Sequence, residues 1–530
     1  MMIDNRKSIG VMSVCLITAF MALLVIPLFS LLLRFNIGGM NTLFEGTDLW
    51  QVFLRSVYLS LCVSTASVAI ALVISFLIRE QKSIVQQIFI LCFTVPILIP
   101  TISVGMGIMF LFSRNGPIFQ MFEWQPNIFG FSGLFMGLVL YTAPQAILQI
   151  FDALRYEGTH LHNEAKALRL GVFSRLRTLS LPRVKSAIKR AFFASFLFSF
   201  TDFGINLMVG GQYRTLSLTL FQEIIGRMNF DRAALVSILM WLPLLILFFY
   251  CMKNSTFTFK HNDKGTTSAF FLQKRGQIIS CVILIIIASM FLLPIVAFIA
   301  SSFRLTNINN PDILQNYKTL LNFNLPRYFW NSLIIAVCAS VFGTAFSCLT
   351  AYVTSKASIL PARVLKILAV VPFSVPGLVI GLGFVTSYSS IGFLFSICIA
   401  LICANIINFF GIPYFLFFNN FSQMGKEIEI SASVFRMNWL DVFFRIYLPQ
   451  MKQTIVESMM FYFVNSMITI SAAIVLFRSR TMPMAILITQ FEAQLLIFQA
   501  AAVTAIILLV NIVVKLIFYL SFRQKTEMGR

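Results

Sequence analysis

Long apolar segments alternate with short polar ones along the whole chain. Twelve of them approach or exceed the roughly 20 residues that a helix needs to cross a bilayer. They cover residues 9–33, 53–78, 84–112, 131–151, 191–209, 233–251, 278–300, 331–353, 367–385, 393–418, 456–477 and 498–522. This pattern predicts an all-α integral membrane protein with about 12 transmembrane helices, and a lipid bilayer as its surroundings.

The composition agrees with a membrane protein and excludes a soluble globular one. Hydrophobic residues make up 58% of the chain and charged residues 11%, whereas soluble domains carry about 25% charged residues. The first apolar segment, 9–33, is too long for the core of a signal peptide and has no small-residue cleavage site. We therefore expect it to stay in the protein as a spanning helix.

Part of the first half of the sequence recurs in the second half. Segment 164–182, EAKALRLGVFSRLRTLSLP, has a diverged copy at 429–449, EISASVFRMNWLDVFFRIYLP. The closing prolines, Pro182 and Pro449, are 267 residues apart, about half of the 530-residue chain. This spacing indicates an internal duplication. With six helices in each half, we expect two parallel six-helix repeats.

The duplication divides the chain into two modules and a connecting segment. We place the first module at 1–252, with its core at 53–252, and the second at 277–530, with its core at 329–522. Residues 253–276 between them are polar and basic, which is typical of a cytoplasmic linker.

A second repeated motif lies in the third helix of each half. The pattern V-P-x-x-x-P-x-x-x-x-G-x-G occurs at 95–107 and again at 371–383, an offset of 276. Prolines bend a spanning helix and free backbone carbonyls, and glycines let a neighbouring helix come close. Two interpretations stay open: helix packing, or bent helices that line a transport path. The prolines concerned are Pro96, Pro100, Pro372 and Pro376.

Asp202 is a carboxylate inside a predicted spanning helix, where a charge is costly. At the spacing of 267 it corresponds to Thr469, and Asn465 lies one turn before that residue. Both halves thus place polar groups in the fifth helix. Asp202, Asn465 and Thr469 either line a path or form hydrogen bonds between helices.

The net charge is +21, and the basic residues lie between apolar segments rather than in a patch with interleaved aromatic residues. We therefore expect no nucleic-acid partner. By the positive-inside rule, the loops rich in Lys and Arg face the cytoplasm, and an even number of helices then places both termini there.

No catalytic or metal-binding pattern occurs in the sequence. The nine cysteines lie in or beside apolar segments without a C-x-x-C pair, and His160 and His162 have no third ligand nearby. The phosphate-binding motif G-x-x-x-x-G-K-[ST] is missing too. We expect no enzyme activity, no cofactor and no metal.

The two copies at 164–182 and 429–449 resemble the cytoplasmic signature loop of binding-protein-dependent ABC importer permeases, E-A-A-x-x-x-G-x(9)-I-x-L-P. In that family the loop docks on the ATPase subunit. The family glycine position falls on Arg169 and Arg436, with acids and small residues displaced nearby. The residues that the resemblance assigns to docking are Glu164, Ala165, Gly171, Leu181, Pro182, Glu429, Ser431, Ala432, Leu448 and Pro449.

The resemblance implies the type I ABC importer permease fold in the bacterial inner membrane. It also implies two copies of a separate cytoplasmic ABC ATPase subunit and a periplasmic substrate-binding protein as partners. Two stretches, 181–237 and 465–483, resemble most closely the fused permeases of the aminoethylphosphonate, ferric iron and thiamine group. Within that group the resemblance is strongest to the aminoethylphosphonate type, so 2-aminoethylphosphonate is the expected solute. Ferric iron and thiamine are the alternative solutes.

An ion-gradient-driven secondary transporter with six plus six helices is the alternative. The loop at 79–83 lacks the acidic and basic signature that such transporters carry there, and acids within the spanning segments are few. Both observations favour the ATP-driven importer.

Overall fold

The computed structural model describes residues 2–33, 49–114, 116–123, 126–155, 174, 177–178, 181–252, 274–303, 314–357, 359–389, 391, 398–425, 427–435 and 437–527. These residues form helices joined by turns and irregular segments, and no strand occurs among them. The predicted all-α fold is confirmed. Most of the predicted linker, 253–273, lies outside the described residues, and its last three residues begin a helix.

The helices of the first half are numbered in chain order: α1 Met2–Phe20, α2 Ile26–Leu33, α3 Leu49–Arg79, α4 Ser83–Thr94, α5 Thr101–Phe112, α6 Pro117–Phe122, α7 Phe131–Arg155, α8 Leu181–Thr201, α9 Gly204–Val209, α10 Leu216–Phe221 and α11 Phe230–Met252. A π-helical turn, Met21–Val25, joins α1 to α2. A 3-10 turn, Val95–Leu98, continues α4, and a π-helical turn, Gln222–Gly226, continues α10.

The helices of the second half follow: α12 Lys274–Ser301, α13 Gln315–Asn322, α14 Leu325–Lys356, α15 Leu360–Val370, α16 Gly377–Tyr388, α17 Ile399–Asn408, α18 Gly411–Gln423, α19 Glu427–Val434, α20 Trp439–Asp441, α21 Leu448–Gln450, α22 Lys452–Ile468, α23 Ala473–Leu476, α24 Met484–Ala493 and α25 Ile497–Glu527. A 3-10 turn, Val371–Ser374, continues α15, and a π-helical turn, Val442–Tyr447, joins α20 to α21.

Seven helices of the described part are long and apolar enough to cross a membrane. They are Ser8–Leu33, Leu49–Arg79, Phe131–Leu154, Phe230–Cys251, Lys274–Ser301, Leu325–Lys356 and Ile497–Phe518. Three further pairs of helices pass the same test together but are bent, which gives ten crossings if each pair counts as one. The two remaining predicted segments, 191–209 and 456–477, are also interrupted, since α8 gives way to α9 and α22 to α23.

The two segments that carry the repeated proline motif are sharply bent, as their paired prolines indicate. The chain bends by 100° between Ser83–Leu98 and Thr101–Phe122 and by 113° between Leu360–Ser374 and Gly377–Tyr388. The residue before a proline is driven from the helical to the extended region, because its backbone and Cβ clash with the proline ring. Ile99 and Val375 are extended at this position, with ψ of 154° and 120°. Pro100 and Pro376 therefore break these helices.

Segment 393–418 is also interrupted. Its described part forms α17 and α18, which meet at 54°. Pro413 lies in the first turn of α18, where its missing N–H is tolerated but a continuous helix would lose a hydrogen bond.

The two halves interlock through their first helices. α2, from the first half, packs along α16 of the second half, and α12, from the second half, packs along α5 of the first. Each first helix therefore covers the broken third helix of the other half.

The last helix of each half also reaches the bend in the other half. The Asn511 side chain on α25 donates a hydrogen bond from Nδ2 to the carbonyl oxygen of Leu98 at 2.8 Å. The indole Nε1 of Trp241 on α11 donates to the hydroxyl of Ser374 at 3.1 Å. Leu98 and Ser374 are 276 positions apart, the offset of the proline motif. The same crossing arrangement therefore occurs at both bends.

Candidate translocation cavity and coupling segments

A cavity of about 180 Å³ lies where four interrupted helices meet. Its walls include the breaks before α5 and α16, at Pro100 and Pro376, and the breaks after α8 and α22, at Asp202 and Thr469. Backbone that is not helical is tolerated at membrane depth where it is enclosed by protein or lines a cavity. The four breaks thus mark one place in the fold, shared by both halves.

Asp202 ends one helix and starts the next. Its carboxylate oxygen Oδ2 accepts a hydrogen bond from the amide of Ile205 at 2.9 Å, in the manner of an N-terminal helix cap. The Thr101 hydroxyl also hydrogen-bonds to this carboxylate. The Asp202 carbonyl accepts from the Asn206 side chain and from the Ser217 hydroxyl. Asp202 therefore both forms hydrogen bonds within the fold and lines the cavity.

Thr469 occupies the corresponding break in the second half. Its backbone is extended, with ψ of 131°, and its amide still bonds to the Asn465 carbonyl at 3.0 Å. The Asn465 side chain donates to the Phe461 carbonyl at 2.8 Å. Both Asn465 and Thr469 line the cavity.

Small residues bring the breaks together. In the first half, a β-carbon on Gly204 would lie 2.5 Å from the Thr101 hydroxyl oxygen. In the second half, Gly377 is the equivalent of Thr101, and Ser471 is the equivalent of Gly204. The Ser471 hydroxyl occupies the space that a β-carbon on Gly377 would need. Each half thus combines one glycine and one hydroxyl at the contact, with the two roles exchanged.

The structure brings six of the seven predicted path residues to this cavity. They are Pro100, Asp202, Pro372, Pro376, Asn465 and Thr469. Pro96 is buried one turn before the bend, beside rather than among the lining residues.

Sequence reasoning missed several side chains of the cavity wall. Tyr141, Phe198, Asn408 and Phe461 all line it. Tyr141 and Asn408 differ by the repeat spacing of 267, as do Phe198 and Asn465. Applying that spacing to every aromatic or amide residue in the spanning segments would have found both pairs. No group of three His, Cys, Asp or Glu side chains suited to a metal ion occurs in the described ranges.

The first predicted docking segment is described only at its end. Glu164, Ala165 and Gly171 lie outside the described residues. Leu181 and Pro182 form the first turn of α8, and both are exposed. A helix therefore starts at Leu-Pro, as the sequence predicts.

The second predicted docking segment runs from α19 to α21. Ser431 is exposed and Ala432 is buried, while Leu448 is half-buried and Pro449 exposed. Glu429 lies within α19. The spanning helix α22 begins at Lys452, three residues after Leu-Pro, so the predicted helix start is displaced in this copy.

A cluster of buried aromatic rings holds the second segment against the spanning helices. The Tyr352 ring on α14 lies 5.0 Å from the Phe443 ring and 5.7 Å from the Tyr447 ring, between centroids. Tyr447 in turn packs on Phe421 of α18 at 5.7 Å. Lys356, at the end of α14, donates from Nζ to the Met424 carbonyl at 2.9 Å.

The outer face of the same segment carries apolar side chains that nothing in the described structure covers. Val434 is 73% exposed and Phe435 is 77% exposed. Leu440 and Phe444 are also exposed. We call these four residues the apolar face of the second docking segment. Exposed apolar side chains on a segment between spanning helices are typical of a surface that binds another protein.

Comparison with known proteins places these features in context. Residues 343–526 match the family model described as the inner membrane component of binding-protein-dependent transport systems. The match covers the repeated proline motif, the docking segment and the interrupted fifth helix of the second half.

Relatives align with most of the chain at low identity. A putative ferric transport system permease protein, FbpB 1 of Haemophilus influenzae, is 22% identical over 81% of this chain and 71% of its own length. The ferric transport system permease protein FbpB of Actinobacillus pleuropneumoniae is 21% identical over 81% of this chain and 65% of its own length, just under two thirds.

A shorter alignment gives 25% identity to the thiamine transport system permease protein ThiP of Haemophilus influenzae, over 40% of each chain. With its apolar helices and these matches, the chain is similar to integral inner membrane permeases of binding-protein-dependent transport systems.

Proposed function

We propose that this chain contains two permease modules, 1–252 and 277–530, which together form the translocation pathway of one ATP-driven importer. The proposal rests on the paired contacts between the halves. The proline motifs, the helix breaks and the crossings of the first and last helices recur at offsets of 267 or 276. A single chain with two modules needs no second permease subunit to close the cavity.

The cavity is the proposed path for the solute, and this is the observation that carries the function. It lies between the two halves and is lined by matching positions from each. In transporters built from repeats, solute sites lie at the repeat interface, where helices are discontinuous. Rocking of one half against the other would open the cavity to either side in turn.

The two docking segments are the proposed attachment points for two copies of a cytoplasmic ABC ATPase. On this proposal both chain termini and both segments face the cytoplasm. The apolar face of the second segment supports it, since Phe435 and Val434 are suited to insert into a groove of a partner protein. The aromatic cluster around Tyr352 would then transmit a movement of the segment to α14.

A periplasmic binding protein is the proposed source of the solute. The sequence resemblance favours 2-aminoethylphosphonate, while relatives carry the names of ferric and thiamine permeases. Uptake of these three labelled solutes in cells with and without the gene, with ATP depleted in parallel, tests the function. We expect the gene to be required for ATP-dependent uptake of one of them. Uptake that follows the proton gradient instead would favour a secondary transporter.

A further inference from the structure

The two sides of the cavity are related by the repeat but differ in chemistry. On the first-half side stand Tyr141, Phe198 and Asp202. At the equivalent positions of the second half, each 267 residues later, stand Asn408, Asn465 and Thr469. At these three positions the first half is therefore aromatic and anionic, whereas the second half carries neutral amides and a hydroxyl. A solute in the cavity is held differently at its two ends.

Aromatic rings from both halves line the cavity. The rings of Tyr141 and Phe198 meet edge to face, with centroids 6.3 Å apart and planes at 89°. Further rings along the lining are those of Phe203, Phe373, Phe409 and Phe461. The face of an aromatic ring carries partial negative charge and attracts cations.

Among the described residues that line the cavity, Asp202 is the one Asp, Glu, Lys, Arg or His. Its hydrogen-bond donors are the Thr101 hydroxyl and the backbone amides of residues 204–206, which are neutral and leave its charge in place. On its own helix the nearest basic residue, Arg190, lies twelve positions earlier, about 18 Å along the axis. The carboxylate therefore sets the sign of the field in the cavity.

Helix dipoles do not reverse that sign. The helices α5, α16 and α18 begin at the cavity and add partial positive charge, because their first residues, Thr101, Gly377 and Gly411, line it. The helices α8, α17 and α22 end there, at Thr201, Asn408 and Ile468, and add partial negative charge. Three C-terminal ends and three N-terminal ends thus meet at the cavity and offset one another. Carbonyl ends of broken helices are suited to hold cations.

We propose that the cavity takes a small organic cation, with its positively charged nitrogen against Asp202, Tyr141 and Phe198 and its remaining polar groups facing Asn408, Asn465 and Thr469. This deepens the proposed function and rests on it, since it names the class of solute that the path accepts. A primary ammonium and a quaternary nitrogen share this chemistry. Oxyanions without a positively charged nitrogen do not have it.

The volume is suited to such a solute. On the same measure, one buried water needs about 10–15 Å³, and the cavity offers about 180 Å³. A molecule with several non-hydrogen atoms can therefore occupy it without displacing the walls.

Calorimetric titration of the full chain in lipid nanodiscs tests the proposal with two isosteric pairs. The first pair is 2-aminoethylphosphonate and propylphosphonate, in which a methyl group replaces the ammonium. The second pair is choline and 3,3-dimethylbutan-1-ol, in which carbon replaces the quaternary nitrogen. We expect the charged member of at least one pair to bind about tenfold or more tightly than its neutral-tailed partner. Preference within the first pair would identify a site for a primary ammonium, and preference within the second pair a site for a quaternary nitrogen.

The same titration of two substituted chains tests the role of Asp202. Asp202→Asn is expected to remove most of the preference for the charged member. The matched control is Glu457→Gln, which removes an exposed carboxylate from α22 outside the cavity and should leave the preference unchanged. If Asp202→Asn does not yield folded protein, the comparison within each pair on the unaltered chain still decides.

Three results would overturn the proposal: equal binding within both pairs, binding of none of the four compounds, or displacement of the bound cation by ferric iron. The titration needs no ATPase, so its failure leaves the importer function standing. Loss of ATP dependence in the uptake experiment would instead remove the importer function, whatever the titration shows.

Discussion

Gly383 lies so close to the backbone of Pro27 that a β-carbon on the glycine would stand 2.9 Å from the proline carbonyl oxygen. The counterpart contact in the other half joins Gly107 and Pro294, where that distance would be 2.5 Å. The two glycines are the last residues of the repeated proline motif, and the two prolines lie in the first helices. The motif glycines therefore serve the contact by which each first helix holds the other half.

Substitution of Gly383 is expected to weaken the contact between the first helix and the second half. Gly383→Val introduces a branched side chain against the Pro27 backbone, which cannot yield as a flexible side chain does. Overpacking of this kind costs about 1–3 kcal/mol. We expect a lower midpoint of thermal unfolding for the purified protein in detergent.

Gly10→Ala is the matched control, because this helical glycine of α1 has nothing within 4 Å of its would-be β-carbon. It should leave the midpoint unchanged or raise it, since alanine favours the helix. Equal unfolding of Gly383→Val and the unaltered protein would show that the first helix is not held at Gly383.

The contact between Asn511 and Leu98 predicts a second effect. Asn511 is fully buried, and its side chain satisfies a carbonyl that the break at Pro100 leaves without a helical partner. Asn511→Leu should cost about 1–3 kcal/mol, because the Leu98 carbonyl then stays buried and unpaired. Hydrogen exchange should also rise at the bend, between Val95 and Thr101.

Trp241→Phe removes the equivalent hydrogen bond to Ser374 at the other bend. The two substitutions remove hydrogen bonds at separate bends, so their effects on unfolding free energy should add to within about 0.5 kcal/mol. Marked non-additivity would mean that the two bends move as one unit, which contradicts the independent role given to each contact.

The apolar face of the second docking segment predicts a loss of coupling without a loss of folding. Phe435→Asp changes a side chain that is 77% exposed, so stability should shift by no more than about 0.5 kcal/mol. If Phe435 fills a groove on the ATPase, the substitution should weaken its binding about 30-fold or more. Co-purification of the ATPase and ATP-dependent uptake measure the two consequences.

Leu495→Asp is the control for that substitution. Leu495 is 82% exposed and follows α24, on the expected periplasmic side. Unchanged ATPase binding in Phe435→Asp, or an equal loss in both variants, would contradict the docking role of Phe435.

The spanning segments and the internal repeat could be predicted from the sequence because each depends on local pattern and spacing. The proline motif also pointed to the bends, but a proline alone does not say whether a helix kinks or breaks. The breaks at Pro100 and Pro376 depend on the tertiary contacts that stabilise them, such as the one from Asn511.

The composition of the cavity wall was harder to foresee, because it joins residues from helices far apart in the chain. Asp202 and Asn465 were predictable, because a polar side chain in a spanning helix is costly unless it faces a cavity or a partner. Tyr141 and Phe198 were not, because aromatic residues are common in spanning helices and only the fold selects the few that face the cavity.

Tyr352 is the centre of the last prediction, since its ring joins the second docking segment to α14. Tyr352→Ala removes contacts with Trp439, Phe443 and Tyr447, a loss expected to cost about 3–5 kcal/mol at this buried site. Transport should fall more than ATPase binding, because the apolar face remains while its link to the spanning helices is lost. Tyr352→Phe keeps the ring and should retain transport. Equal loss in both variants would place the role of Tyr352 in its hydroxyl, and full transport in Tyr352→Ala would exclude this ring as the link.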